Sequence, residues 1–132
     1  MSYKILIVDD DAEFRSALSM LLGDLGYDIA VTWNGRAALD HLRSHAPPDV
    51  ILLDLEMPVM DGYAFCVEKR RDGRLAGVPI VLISGHPDLG ERVRPEGVTE
   101  WLRKPVDIAA IVRTIRRLTS ANGDEASAQE VA

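Results

Sequence analysis

The sequence predicts an α/β protein with a doubly wound, five-stranded parallel sheet in the order 2-1-3-4-5 and helices on both faces. Three short apolar runs rich in Val and Ile, at residues 5–8, 50–53 and 78–83, indicate strands that are buried on both faces. Two segments that alternate apolar and polar residues, 27–31 and 98–102, indicate half-exposed strands. Helical patterns lie between these strands, and such alternation is typical of a parallel sheet.

The strand order follows from the expected burial. Central strands of a parallel sheet are covered on both faces, whereas edge strands are partly exposed. The second and fifth strands are therefore assigned to the two edges, and right-handed crossovers connect all five in the order 2-1-3-4-5. Pro79 lies near the start of the fourth strand, where a missing backbone donor is tolerated.

Apolar periodicity and capping residues define the helices. The first helix should end before Gly26, and Asn34 should cap the second. The third helix is expected at residues 62–71, and Asp107 should cap the last. The apolar stripe of the first helix consists of Phe14, Leu18, Leu21, Leu22 and Leu25.

Two segments are expected to be less regular. Prolines and glycines interrupt residues 85–97, so the fourth helix should be short or irregular, at most residues 88–94. Residues 119–132 lack aromatic residues and core-facing periodicity. We therefore expect one domain at residues 1–118, followed by a disordered acidic tail at residues 119–132.

Composition limits the classes of function. A net charge of −6 argues against a broad basic surface, so nucleic acid is not an expected partner. No apolar run approaches the roughly 20 residues that span a bilayer, and no secretion leader is evident. We expect a cytoplasmic monomer or weak dimer without membrane insertion. Cys66 is expected to be a small core residue, and His41 and His45 to be solvated.

Polar side chains follow four of the predicted strands at the point where each strand ends. Asp9 and Asp10 follow the first strand, and Asp54 ends the third. Ser84 ends the fourth strand and Lys104 the fifth. In an open parallel sheet, ligands bind beyond the carboxyl ends of the strands, where the strand order reverses between strands one and three. The five side chains are therefore expected to meet at one rim of the sheet.

These residue types together favour phosphoryl chemistry. Three neighbouring carboxylates repel one another unless a cation binds, and oxygen ligands suit Mg²⁺, which proteins often share with a phosphate. An ionised Asp54 can then act as the nucleophile, while Lys104 and the Ser84 hydroxyl hold the transferring oxygens. Each residue alone has an ordinary alternative, because aspartates cap helices and Lys-Pro pairs form turns. The combination at matching strand ends is what favours the phosphoryl site.

The motifs resemble the receiver domain of bacterial two-component response regulators, the CheY-like family, over about residues 3–118. They comprise the run at residues 5–11 (ILIVDDD), the stretch at residues 54–62 (DLEMPVMDG), Ser84-Gly85 and Lys104-Pro105. The resemblance implies a flavodoxin-like fold. It also implies a cis peptide bond before Pro105, which is plausible only at an X-Pro bond.

The same resemblance implies a role for each site residue. Asp54 would be the phosphoacceptor and would form an acyl phosphate. Mg²⁺ would be bound directly by Asp10, Asp54 and the main-chain carbonyl of Glu56, with Asp9 acting partly through water. Lys104 would contact the phosphoryl group.

Switching in this family couples the Ser84 position to an aromatic residue three positions before the lysine, here Trp101. Rotation of that ring would repack the face formed by the fourth helix, the fifth strand and the last helix. The alternative interpretation is that Trp101 simply covers the edge of the sheet.

The implied phosphoryl donor is a histidine kinase or a histidine phosphotransfer protein, and the implied output is binding to a downstream protein target. We expect a stand-alone receiver, a signalling domain rather than an enzyme, because few residues follow Leu118. A receiver from a hybrid histidine kinase is one alternative. Others are an aspartyl-phosphate phosphohydrolase, which tends to place a second acid where Glu56 lies, and a pseudo-receiver that is not phosphorylated.

Overall fold

Strands and helices alternate along the chain. The structure is a computed structural model that describes residues 2–55, 57, 59–85 and 97–131, with side chains only as far as residue 120. The strands of this part of the chain are β1 (Lys4–Val8), β2 (Asp28–Thr32), β3 (Val50–Asp54), β4 (Ile80–Ser84) and β5 (Val98–Arg103). The helices are α1 (Ala12–Asp24), α2 (Gly35–Ser44), α3 (Gly62–Arg71) and α4 (Ile108–Val131). The helix expected at residues 88–94 lies outside the described residues.

The five strands form one parallel sheet in the order β2-β1-β3-β4-β5, which confirms the predicted fold. The register aligns the carboxyl ends of the central strands, because residues near those ends pair across the sheet. These pairs are Val8 with Leu53, Asp54 with Ile83, and Ser84 with Arg103. Side chains that follow β1, β3, β4 and β5 therefore emerge at one rim.

Burial of the strands follows their position in the sheet. All residues of β3 and β4 are buried, as is β1 apart from Lys4. Strands β2 and β5 are only partly buried along their length, which confirms their assignment as edges. A hydrophobic cluster lies on each face of the sheet. The helix residues Leu39 and Phe65 belong to one cluster, and Leu18 and Ile115 to the other.

The helix limits agree with the sequence except at particular residues. The Asn34 side chain caps α2 by accepting from the Ala37 N–H at 2.8 Å, as predicted. Leu25, expected to face inward, is 43% exposed, so that assignment is wrong. The reason is that α1 ends at Asp24 and Gly26 adopts a left-handed conformation with φ of 99°, so Leu25 lies beyond the last helical residue and does not continue the apolar stripe.

The last helix differs from its predicted extent. Its backbone remains helical through Val131, where the sequence predicted a disordered tail from Thr119. Thr119 is itself buried, and its side-chain hydroxyl donates to the Ile115 carbonyl at 2.8 Å. None of the described helices is both long enough and apolar enough to cross a bilayer.

The single cysteine lies in the core, as expected. Cys66 is 2% exposed within the cluster that covers one face of the sheet. Burial raises the pKa of its thiol to about 11. The thiol is therefore protonated near neutral pH and behaves as a small apolar group.

Candidate functional site

Three aspartates meet at the carboxyl ends of β1 and β3. Each of Asp9, Asp10 and Asp54 offers a carboxylate oxygen, and these oxygens all lie within 4.8 Å of one another. The register explains this proximity, because Val8 pairs with Leu53 and the next residues along the two strands are Asp9 and Asp54. Asp9 and Asp54 are buried, whereas Asp10 is exposed. Two of the three carboxylates are thus buried in the protein, and the third faces solvent.

Hydrogen bonds hold the Asp9 side chain in place. One carboxylate oxygen accepts from the Asp11 N–H at 2.9 Å, and the other accepts from Lys104 Nζ at 3.3 Å. The Asp9 carbonyl also accepts from the Arg15 guanidinium at 2.7 Å. The Asp11 side chain caps α1 by accepting from the backbone N–H groups of Glu13 and Phe14. The start of α1 therefore positions Asp9.

Lys104 supplies a cation at the rim. Its Nζ lies 3.3 Å from an Asp9 oxygen and 3.9 Å from Asp54 Oδ1, and the side chain is 30% exposed. Nζ also lies 5.2 Å from the centroid of the Phe14 ring, within the range of a cation–π contact. The positive charge offsets part of the repulsion among the carboxylates and remains accessible to an incoming anion.

The ends of β4 and β5 are joined by backbone contacts. The Lys104 N–H donates to the Ser84 carbonyl at 2.9 Å, which places Ser84 beside the lysine. Ser84 is fully buried. The Lys104-Pro105 peptide bond is cis, as the resemblance implied.

Trp101 lies on β5, away from the acid cluster. It pairs with Leu82 of β4 and packs, half-buried, against the hydrophobic cluster on that face of the sheet. The Arg103 guanidinium lies 5.3 Å from the centroid of its ring. The structure thus places Trp101 on a partly exposed edge strand, and its switching role stays a prediction.

The loop between β3 and α3 borders the cluster. Glu56, whose main-chain carbonyl was expected to be a metal ligand, lies outside the described residues. Gly62 donates to the Leu55 carbonyl at 2.9 Å, and a Cβ on Gly62 would lie only 2.9 Å from the Leu55 Cα. The Met60 carbonyl accepts from the Gly35 N–H at 3.2 Å, which ties this loop to the start of α2. Close backbone packing therefore determines the path of the loop beside Asp54.

Two residues that touch the site were missed in the sequence analysis. Phe14 contacts the Lys104 ammonium, and Arg15 contacts the backbone of Asp9. Both lie in the first turn of a helix that begins immediately after the acid cluster. Their position in that first turn is the feature of the sequence that could have indicated them.

The donor set fits a hard divalent cation. All three side chains offer carboxylate oxygens, the ligand type that Mg²⁺ prefers, and the exposed Asp10 leaves room for retained water. The adjacent ammonium of Lys104 suits an anionic group that would share the cation. The arrangement can therefore hold Mg²⁺ together with a phosphoryl group.

Comparisons with known proteins agree with this geometry. Residues 5–116 match the family model of the response regulator receiver domain. The chain is 35% identical over 127 residues to the DNA-binding response regulator MtrA of Mycobacterium tuberculosis, which covers 95% of this chain and 54% of MtrA. The chain thus spans about half the length of that relative.

Two solved structures share the fold. The chemotaxis response regulator CheY4 of Vibrio cholerae superposes with a TM-score of 0.82 at 30% identity, covering 89% of this chain and 99% of that one. A receiver domain of a Pseudomonas aeruginosa sensor histidine kinase, with a magnesium ion in its active site cleft, gives a TM-score of 0.80 at 28% identity, covering 89% of this chain and 98% of that one. On the family match and the shared fold, this chain belongs to the response regulator receiver domains of two-component systems.

Proposed function

We propose that this receiver accepts a phosphoryl group on Asp54. The observation that carries the proposal is the position of that carboxylate. It is 6% exposed at the end of a central strand, with the Lys104 ammonium 3.9 Å away and two further aspartates beside it. A nucleophile in such a site faces an incoming phosphoryl group with a cation already in place.

The geometry favours Asp54 over its neighbours as the nucleophile. Both carboxylate oxygens of Asp9 accept hydrogen bonds, from the Asp11 N–H and from Lys104. Asp10 is exposed, so water competes for its oxygens. Asp54 is 6% exposed and ends a central strand whose five residues are all buried. It is therefore better shielded from water during transfer than the exposed Asp10.

The reaction transfers a phosphoryl group from a phosphohistidine. An Asp54 oxygen forms the new bond to phosphorus as the bond from phosphorus to the histidine nitrogen breaks. The imidazole leaves with its electron pair, and an acyl phosphate remains on Asp54. Lys104 contacts a transferring oxygen, and the Ser84 hydroxyl donates to another. Mg²⁺, when held by Asp9, Asp10, Asp54 and the main-chain carbonyl of Glu56, would offset the charge of the carboxylates and of the phosphoryl oxygens.

The partners of this proposal follow from the family. Receiver domains interact with histidine kinases, so a histidine kinase or a histidine phosphotransfer protein in the cytoplasm is the proposed donor. The output is a protein target that binds after Ser84 and Trp101 repack. The domain that carries out these steps comprises residues 1–118.

We propose a stand-alone receiver, which the match over nearly all of the CheY4 chain supports. A receiver within a larger protein is the second candidate. It is favoured by the match to about half of MtrA and by the likeness to a receiver domain of a sensor histidine kinase. The molecular mass of the protein isolated from its native host distinguishes the two.

Labelling of an Asp54→Asn variant tests the phosphoacceptor. With Mg²⁺ and labelled acetyl phosphate or a phosphorylated kinase, the parent protein should incorporate label up to a stoichiometric limit, whereas Asp54→Asn should incorporate none. Asp40→Asn is the matched control, because it makes the same charge change on an exposed residue of α2. Label that persists in Asp54→Asn would identify another acceptor. Sustained release of phosphate without a limit would support a phosphohydrolase instead.

A further inference from the structure

Two kinds of contact hold the Lys104 ammonium at the rim of the sheet. The first is with the acids, since Nζ donates to an Asp9 oxygen at 3.3 Å and lies 3.9 Å from Asp54 Oδ1. The second is with the ring of Phe14, whose centroid is 5.2 Å from the same nitrogen. The negative face of an aromatic ring attracts an ammonium within about 6 Å of its centroid. The ring is therefore close enough to restrain the lysine.

The start of α1 fixes the position of this ring. The Asp11 side chain accepts from the Phe14 N–H at 3.2 Å, while the Asp11 N–H donates to Asp9 Oδ1 at 2.9 Å. Asp9 and Phe14 are thus linked through a single capping residue. One turn further along the helix, Leu18 is fully buried in the hydrophobic cluster against which Phe14 packs. Both the backbone and the ring of Phe14 are therefore anchored, so little ordering is needed when a ligand arrives.

An aromatic ring restrains an ammonium differently from a carboxylate. The Lys104 ammonium has only N–H donors, and each carboxylate that binds it occupies one or more of them. A further carboxylate would also add negative charge to a cluster whose three acids already offer oxygens within 4.8 Å of one another. The face of the Phe14 ring attracts the charge without adding either an ionised group or a lone pair. The ring therefore leaves N–H groups of Lys104 for an incoming anion.

We propose that Phe14 is a positioning residue, whose ring holds the Lys104 ammonium where an anionic oxygen arriving at Asp54 meets it. This inference rests on the proposed phosphorylation of Asp54. Without the ring, the long and flexible Lys104 side chain would sample other orientations. A smaller fraction of molecules would then present the ammonium to a transferring oxygen, which slows the transfer. Phe14 acts through the lysine rather than on the reacting atoms.

The rate of labelling from acetyl phosphate with Mg²⁺ tests this role. We expect Phe14→Leu to be labelled about 3- to 10-fold more slowly than the parent protein, the fold-change that corresponds to loss of one cation–π contact. Phe14→Tyr keeps an aromatic face and should retain most of the rate. Tyr27→Leu is the matched control, because Tyr27 is another half-buried aromatic residue that packs against the same cluster, directly before β2. It should lower stability and leave the labelling rate unchanged. Equal rates in Phe14→Leu and the parent protein would overturn the proposal.

Fluorinated phenylalanines at position 14 separate electrostatic attraction from packing. Each added fluorine withdraws electron density from the ring face and so weakens its attraction for a cation, while the shape of the ring changes little. We expect the labelling rate to fall stepwise from phenylalanine through its mono-, di- and trifluorinated forms, at a nearly constant thermal unfolding temperature. A constant rate through the series would contradict an electrostatic role of the ring, as would a rate that follows only the unfolding temperature.

NMR of the Lys104 side chain tests the contact without any phosphorylation. The protons of the carbon bonded to Nζ should show an upfield ring-current shift in the parent protein, because Nζ lies over the Phe14 ring. Phe14→Leu should remove this shift, and Tyr27→Leu should not. The same shift in Phe14→Leu and the parent protein would overturn the proposed restraint, whatever the labelling rates are. Absence of label in the parent protein, with the ring-current shift intact, would instead overturn the phosphorylation of Asp54 while supporting the restraint on Lys104.

Discussion

Two buried charged side chains of this protein, Asp9 and Lys69, each form a hydrogen bond with a polar group. Asp9 is 2% exposed and accepts from Lys104 at 3.3 Å. Lys69 is fully buried, donates to the Ala76 carbonyl at 3.2 Å, and has its pKa lowered by that burial. Burying a charge without such a partner costs several kcal/mol. The two lysines differ in accessibility, because Lys104 keeps 30% of its side chain exposed whereas Lys69 is fully buried.

The environment of Trp101 leads to a spectroscopic prediction. Its ring is half-buried on β5, so rotation inward should change its contact with water and its fluorescence emission. Trp33 is 56% exposed and must first be replaced by Phe. In that background, Mg²⁺ with beryllofluoride should shift the Trp101 emission. Adding Ser84→Ala should abolish the shift in emission, because the variant lacks the hydroxyl that would turn toward the phosphoryl group. An unchanged spectrum in the Trp33→Phe protein would remove the proposed switch.

The loop between β3 and α3 depends on a glycine for its path. Gly62 begins α3 beneath Leu55, and a Cβ there would lie 2.9 Å from the Leu55 Cα and 3.2 Å from the Asp54 carbonyl oxygen. Backbone atoms at such distances cannot be moved without moving the strand end that carries Asp54. The N-cap of α3 adds to this constraint, since Asp61 accepts from the Ala64 N–H at 2.9 Å.

Gly62→Ala should therefore destabilise the protein and weaken its metal site together. We expect a loss of about 1–3 kcal/mol, the usual cost of overpacking a tight contact, and weaker Mg²⁺ binding because Asp54 is displaced. Denaturant unfolding and Mg²⁺ titration measure the two effects. Gly73→Ala is the matched control, because no atom lies within 4 Å of its added Cβ. Equal stability of the two variants would show that the loop adapts at little cost.

We expect the acid cluster to couple the stability of the entire domain to divalent cations. Three carboxylates within 4.8 Å of one another oppose folding through their mutual repulsion, and two of them are buried. A cation that binds only the folded state relieves this repulsion. The cluster lies where β1 and β3 end, so a change in this repulsion would act on the core of the sheet.

Mg²⁺ should accordingly raise the thermal unfolding temperature. At about a hundred times its Kd, a ligand of the folded state adds about 2.7 kcal/mol to the free energy of unfolding. Asp10→Asn should stabilise the protein in Mg²⁺-free buffer, because one repelling charge is removed, and should reduce the response to Mg²⁺. Asp40→Asn should change neither. Calorimetric scans with Mg²⁺ and with a chelator measure these shifts, and equal unfolding temperatures in the parent protein would count against the metal site.

Much of the architecture was predictable because it depends on local patterns. Continuous apolar runs distinguished the buried central strands from the alternating edge strands, and right-handed crossovers made the order 2-1-3-4-5 reachable. Leu25 was wrongly included in the apolar stripe of the first helix. Apolar periodicity does not show at which residue a helix ends, and α1 ends one residue before Leu25. The end of the last helix was expected near Leu118 because the residues beyond it lack aromatic residues and core-facing periodicity. Thr119 is nevertheless buried, because its hydroxyl donates to the Ile115 carbonyl.

The sequence by itself determined the fold and the membership of the acid cluster, because both follow from hydrophobic period and from the positions where strands end. Tertiary structure alone decided the rest of the site. The contact of Lys104 with Asp9 joins residues 95 positions apart, and Phe14 reaches the same ammonium from a different element. The position of His41 required the same information: it was expected to be solvated, but it is half-buried and lines a cavity together with Asp28. Periodicity describes one segment at a time, whereas these contacts depend on the distance between segments after folding.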